Sequence, residues 1–270
     1  MIIQNSKFIE ACEEILEAGF DQVDMHQQLL IIQNSKFIEA CEEILEAGFD
    51  QVDMHQQLLI IQNMVNLQAA PEKFVAKIFS LDYFRNLDKV LKGMTKRRQY
   101  MLKRQFQDLN RSLVIDCPQL NIPWVMKSFI DKPYIKDPKG FEHRKACEEI
   151  ENVLHELVGG QDYYRSDVIS PYCYKTDFEV YLDKSGMPVP YKSVKESNRD
   201  SFKRTAVMYL FKSLYCMNNQ RLMGLTRKKI NHLEMMGYHV VQVPFYEWDS
   251  EALRSKDSKS EYLRNKLTNS

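Results

Sequence analysis

The chain predicts an α-helical array followed by a small α/β domain, and three observations carry that prediction. Apolar residues recur at helical spacing through the first half, in segments closed by glycines. A loop with two prolines and several charges, KPYIKDPK at 132–139, then breaks the pattern. Near the end, Lys228 to Trp248 reads as helix, glycine, β-branched strand and aromatic tip, which is half of an α/β unit.

In order along the chain, residues 2–30 recur without a substitution at 31–59, and IIQN returns at 60–63. Helical solenoids repeat a pattern rather than a spelling. Perfect identity therefore points to a recent duplication or an assembly error in the gene model. In each copy an apolar stripe (Phe37, Ile38, Cys41, Ile44 and Leu45 in the second) ends at a glycine, Gly19 or Gly48. No Gly or Pro separates Gly19 from Gly48, which allows one long helix there. Met54, Leu58, Leu59, Ile61 and Met64 fit a second helix. Pro71 opens a third at its first turn, and LDYFRNLDKVLKG closes on Gly93.

The next helix begins with the densest basic stretch of the chain, Lys96, Arg97, Arg98, Lys103 and Arg104, with Tyr100 among them. It is either a nucleic-acid contact or a solvated helix face. After the loop, Glu142 to Val158 is an amphipathic helix stopped by Gly159-Gly160. A strand over Tyr172–Leu182 turns at Asp183–Gly186, and a second, short and apolar, covers Thr205–Leu214. In the helix after it, Lys228, Lys229 and His232 fall on one side, and Ile230, Leu233 and Met236 near the other. Gly237 stops this helix. The strand from Tyr238 ends at Pro244, and Phe245, Tyr246, Glu247 and Trp248 follow. Domain bounds follow as a helical region to 131, a connecting helix and first strands over 132–204, and a terminal module over 205–267.

Composition excludes some classes. No apolar run approaches the roughly 20 residues of a membrane helix, so no membrane insertion is expected. The zero net charge hides two opposed parts. Residues 1–63 hold twelve acids against Lys7 and Lys36, a net of −10, and the remaining 207 carry +10. The basic part suits a polyanion or a solvated mixed surface. None of the six cysteines sits in CxxC spacing, which argues against a zinc site or redox dithiol. No sequence feature calls for a cofactor. The N-terminal residues match neither a signal peptide nor an Arg-rich presequence, which fits a cytosolic protein or a chain that begins inside a longer one.

The spelling HLEMMGYHVVQVPFYEW, with Ala252-Leu253 and Glu261 to Leu267, resembles the RAP domain. Leu109-Asn-Arg-Ser, Cys117-Pro and Ile122-Pro-Trp124 resemble the helical FAST regions that precede it. Together they resemble the FAST kinase domain-containing family over most of residues 64–267. The resemblance implies binding of single-stranded mitochondrial RNA in the matrix, tuning of RNA processing and stability and so of respiration, and RNA-processing proteins as partners. A protein kinase needs a glycine-rich loop, a catalytic-loop Asp and a metal-binding Asp. None is present: His143-Arg144 is followed by Lys145, and Gly19-Phe-Asp21 shares only composition.

The RAP fold resembles PD-(D/E)xK nucleases, in which two acids hold a metal and a lysine positions water. The first strand offers Asp177, Glu179 and Asp183, and Lys212 stands in the place of the lysine. Leu210 occupies the place of the second carboxylate, which argues against cleavage; the acids serve equally well at a strand edge or turn. Binding is the stronger expectation, by cations along the backbone and aromatic faces for bases. The cations are Arg97, Arg98, Lys103, Arg104, Arg221, Arg227, Lys228 and Lys229, and the aromatic is Tyr246. Tyr238 is a further aromatic, whereas Phe245 and Trp248 suit a core better. Two alternatives remain open: a metal-dependent RNA endonuclease and a protein-interaction scaffold using the acidic helices.

Overall fold

The computed structural model describes residues 35–125, 140–216 and 220–268. The first copy of the duplicated segment and the 132–139 loop lie outside these residues. The chain divides into two compact units, Met1–Tyr134 and Ile135–Ser270. Among the described residues, no helix is long and apolar enough to cross a membrane.

The first unit is helical: α1 (Ser35–Gly48), α2 (Met54–Asn66), α3 (Glu72–Ile78), α4 (Leu81–Lys92) and α5 (Lys96–Asp116). Side-chain caps set three of these starts. Asp53 caps α2 in a reciprocal box with Gln56, and the Ser80 and Thr95 hydroxyls accept N–H bonds at the starts of α4 and α5. Leu58 and Ile61 of α2 belong to one core with Ile78, Leu87, Phe106, Leu109 and Leu113. Phe106 meets the Phe79 and Phe84 rings at 5.3 and 5.5 Å.

Asn110 has a structural role at the end of this unit. Asn110 is buried; its amide donates to the Pro123 carbonyl at 2.9 Å and accepts from the Val125 N–H at 3.1 Å. One side chain thus fixes the segment around Pro123-Trp124.

The second unit opens with α6 (Phe141–Val158). Its sheet contains β1 (Tyr164–Ile169), β2 (Lys175–Leu182), β3 (Pro188–Val189), β4 (Lys203–Leu210) and β5 (His239–Pro244). The helices α7 (Gly224–Met235), α8 (Phe245–Trp248) and α9 (Lys256–Thr268) complete it. The strand order is β1-β2-β4-β5, with β3 paired to β2. All pairs are antiparallel except β4 and β5, which run parallel and are joined through α7. The six residues from Thr205 to Leu210 are buried, as a strand covered on both faces requires. Val207 and Val241 join Ile150 and Leu154 of α6, Leu263 and Leu267 of α9, and Trp248 in one core. Ala206, Met208, Leu210 and Val240 join Ile230 and Leu233 of α7 in another.

Two expected strands need correction, and one strand is added. The strand placed at Tyr172–Leu182 begins at Lys175; Ser170 and Tyr174 close a turn instead, with Cys173 at φ +62°. The strand placed at Thr205–Leu214 ends at Leu210, and Lys212–Leu214 is a 3-10 turn. The added strand is β1, before Tyr172. β1 exposes most of its side chains and is interrupted at Asp167, φ +56°, so it carries no alternation to read.

Gly159 ends α6 at φ +95°, its N–H donating to the His155 carbonyl. A methyl group there would meet only an ordinary contact, 3.8 Å from the Tyr163 ring. The cost of Gly159→Ala is therefore conformational, about 1–2 kcal/mol. In urea the midpoint should fall with the slope unchanged.

Candidate functional site

In open α/β sheets ligands bind beyond the carboxyl ends of parallel strands. In the second unit a groove of 1320 Å³ lies at that end, lined by His143 and Glu149 of α6, Tyr209 and Lys212 at the end of β4, Tyr215, and Phe245. Met223, which precedes the first residue of α7, also lines it. The positive end of the α7 dipole therefore lies at the groove.

The Tyr209 hydroxyl donates to Asp249 Oδ2 at 3.0 Å. Burial first, and then the Asp249 carboxylate, push the Tyr209 hydroxyl above its ordinary pKa. Tyr215, Phe245 and Tyr246 form an edge-to-face trio with ring centroids 5.5–5.6 Å apart.

The cations expected to meet RNA fall in both units. On α5, Arg97 and Arg98 are exposed, whereas Lys103 and Arg104 are half-buried, Arg104 lying 3.8 Å from Asp108. In the second unit Arg221 is exposed beside the Tyr215–Leu222 bridge, and Arg227 at the end of the first turn of α7 and Lys228 after it are half-buried. Lys229 turns towards the sheet, where its ammonium donates to the Lys175 carbonyl. His232 does not share a solvent face with Lys228. It is buried, with Nδ1 2.9 Å from the Tyr174 hydroxyl, because the buried arc of α7 includes Thr226, Ile230 and Leu233 and extends round to it. Tyr246 is half-buried against its two aromatic neighbours. Tyr238 and Trp248 are buried.

The three acids of the first expected strand have separate environments. Glu179 is 0% exposed; its Oε2 lies 2.9 Å from both Nε and Nη2 of Arg204, and Oε1 accepts the Tyr191 hydroxyl. Asp183 caps the turn after β2: its Oδ1 accepts from the Ser185 N–H and hydroxyl and the Met187 N–H. The Ser185 hydroxyl, and then the Met187 N–H, hold its carboxyl below the usual range.

Asp177 alone of the three makes contact with groove residues. The β2–β4 ladder ends at the Phe178–Val207 pair, and one step beyond it Asp177 Oδ2 accepts the Tyr209 N–H at 2.9 Å. Its Oδ1 lies 3.7 Å from His143 Nε2. Lys212 lines the same groove, exposed and past the end of β4, while Leu210 is fully buried on the α7 side.

Two further residues join Asp177 that sequence reasoning did not single out, His143 and Cys147. Ligand atoms of His143, Cys147 and Asp177 all lie within 4.8 Å of one another. The available signal was the i, i+4 spacing of His143 and Cys147 on one helix face.

Residues 103–190 match the model of the FAST kinase-like protein, subdomain 2, and residues 211–266 match the RAP domain. Similar relatives include FAST kinase domain-containing protein 1, mitochondrial, of Mus musculus, 30% identical over 213 residues. That alignment covers 73% of this chain and 26% of the relative. The Homo sapiens counterpart is 32% identical over 213 residues, covering 72% and 25%. FAST kinase domain-containing protein 3, mitochondrial, of Bos taurus is 30% identical over 200 residues, covering 73% and 29%. The chain thus spans about a quarter of the length of the curated relatives it matches.

Proposed function

The chain belongs to the FAST kinase domain-containing family, and we propose on that ground that it binds single-stranded RNA in the mitochondrial matrix. There it regulates RNA processing and stability, and through them respiration, without catalysis and alongside RNA-processing proteins.

The observation that carries this reading is the end of the sheet where α7 begins. There the RAP match supplies Arg221 just before α7 and Arg227 and Lys228 near its start, the positive end of the α7 dipole, and a groove lined by Tyr215 and Phe245, with Tyr246 packed on both rings. Cations for the backbone and ring faces for bases are what a single strand requires. Arg97, Arg98, Lys103 and Arg104 of α5 would extend the contact. Lys229 would contribute from the sheet side, where its ammonium meets the Lys175 carbonyl.

We place the terminal module at 205–267 and read the second unit as PD-(D/E)xK nuclease-like. Antiparallel strands leading into a parallel βαβ unit support that reading. Leu210 in the apolar core supports binding over cleavage.

The test is the affinity of the full chain for labelled single-stranded RNA across a salt series. Arg227→Glu with Lys228→Glu should weaken binding at least roughly tenfold and lower the salt slope by about 0.7 for each phosphate no longer neutralised. Absence of binding at low salt by folded protein would overturn the proposal. Mg²⁺-dependent cleavage that disappears in Asp177→Ala would replace it with the endonuclease, and partner capture insensitive to RNase with the scaffold.

A further inference from the structure

We propose that His143, Cys147 and Asp177 form a binding site for one zinc-class divalent ion. His143 and Cys147 stand one turn apart on α6, and Asp177 reaches them from the end of β2. His143 Nε2 is 3.7 Å from Asp177 Oδ1, Cys147 Sγ is 3.5 Å from His143 Nδ1 and 3.9 Å from Nε2, and one ligand atom of each residue lies within 4.8 Å of those of the other two. With zinc bonds of roughly 2.0–2.3 Å, neighbouring ligands of a tetrahedral ion stand roughly 3.4–3.6 Å apart. The two pairs through His143 Nε2 therefore need to close by roughly 0.3–0.4 Å, and the Cys147–Asp177 pair, which lies within 4.8 Å, by up to roughly 1.3 Å. At 3.7 Å the imidazole and carboxylate are too far apart for a hydrogen bond between them, and this spacing is close to that of two ligands on one ion.

The supporting contacts fit the same reading. Asp177 Oδ2 is held by the Tyr209 N–H, which orients Oδ1 towards His143. The His143 ring is set edge-on against Tyr209 and Phe211, at centroid distances of 5.5 and 5.1 Å. Outer contacts of this kind fix ligand orientation at metal sites. His143 is 6% and Cys147 8% exposed, so the site is largely dry, and His143 borders the groove through which an ion would enter.

A thiolate with an imidazole selects zinc over magnesium, which favours an all-oxygen shell. Binding releases the Cys147 proton to solvent. Occupancy of this site does not depend on RNA binding, and its readout contains no RNA.

Cobalt(II) added to the reduced full chain is the probe, because a thiolate ligand gives it a charge-transfer absorption and a tetrahedral site gives intense visible bands. One equivalent should bind, and zinc should displace it. Cys147→Ser should remove the charge-transfer band, while Cys216→Ser, an exposed cysteine of the same groove, should leave it. Asp177→Asn keeps an oxygen for the Tyr209 N–H and should weaken zinc at least roughly tenfold in competition with a chelator. It also serves if Cys147→Ser does not fold, with circular dichroism reporting the fold of each variant. Failure of folded protein to bind either ion, or a band that survives Cys147→Ser or is lost in Cys216→Ser, overturns the site.

Discussion

Trp248→Ala should destabilise the second unit by about 3–5 kcal/mol, the range for removing a large aromatic from a packed core. Trp248 is 0% exposed and shares its core with Val207, Val243, Leu263 and Leu267. Its ring lies 6.1 Å from that of Tyr262, and the Lys259 ammonium sits 4.7 Å from its centroid. Its indole N–H has no acceptor among the described residues, so Trp248→Phe forfeits no hydrogen bond and should cost distinctly less than Ala. Urea unfolding followed by circular dichroism is the measurement. Domains of this size are stable by roughly 5–15 kcal/mol, so the Ala variant approaches the limit of folding. Weaker RNA affinity in Trp248→Ala at unchanged stability would instead make the ring a stacking platform.

Arg204→Met should cost about 3–5 kcal/mol, because it strands a carboxylate in the interior. Glu179 is fully buried, and Arg204 supplies its compensating charge while lying 4.0 Å over the Tyr238 ring. The Tyr191 hydroxyl, which serves the other oxygen, cannot replace a positive charge. Removing both charges with Glu179→Leu and Arg204→Met should recover most of the loss, since two apolar side chains leave nothing unpaired. Unfolding curves for the two single variants and the double close the cycle. Additive losses would show that the pair does not act as a unit.

Elements with strong local causes were legible in the sequence. α2, α4 and α6 carry apolar stripes and sharp ends, and β5 is a β-branched run between Gly237 and Pro244. The paired strands were harder. β1 exposes most of its side chains, and β3 is two residues long, so both exist because β2 offers them a partner. Charge in the sequence does not say which way a side chain points. Glu179 reads as a metal-site acid or a strand-edge residue and Lys229 as an RNA-contacting cation, yet one is an interior counter-ion and the other serves the backbone at the sheet.

The His143–Cys147–Asp177 cluster was hidden for a related reason. Linear spacing finds ligands that share a turn or a loop. Here thirty residues, β1 and a turn separate the helix pair from the third member, and only the sheet brings them together.

The contact between α6 and α9 has a consequence for how the protein is made. Lys259 pairs with Glu149 at 2.6 Å and Lys256 pairs with Glu156, so the first and last helices among the described residues of the unit are partners across 100 and 110 residues. Leu263 and Leu267 fill the core around Trp248 from the last turns of α9. During synthesis the sheet, α6 and α7 would leave the ribosome with that face of the core still uncovered. Closing it must wait for α9, so the nascent chain holds exposed apolar surface until this unit is nearly complete. A chaperone acting co-translationally would have its longest engagement there.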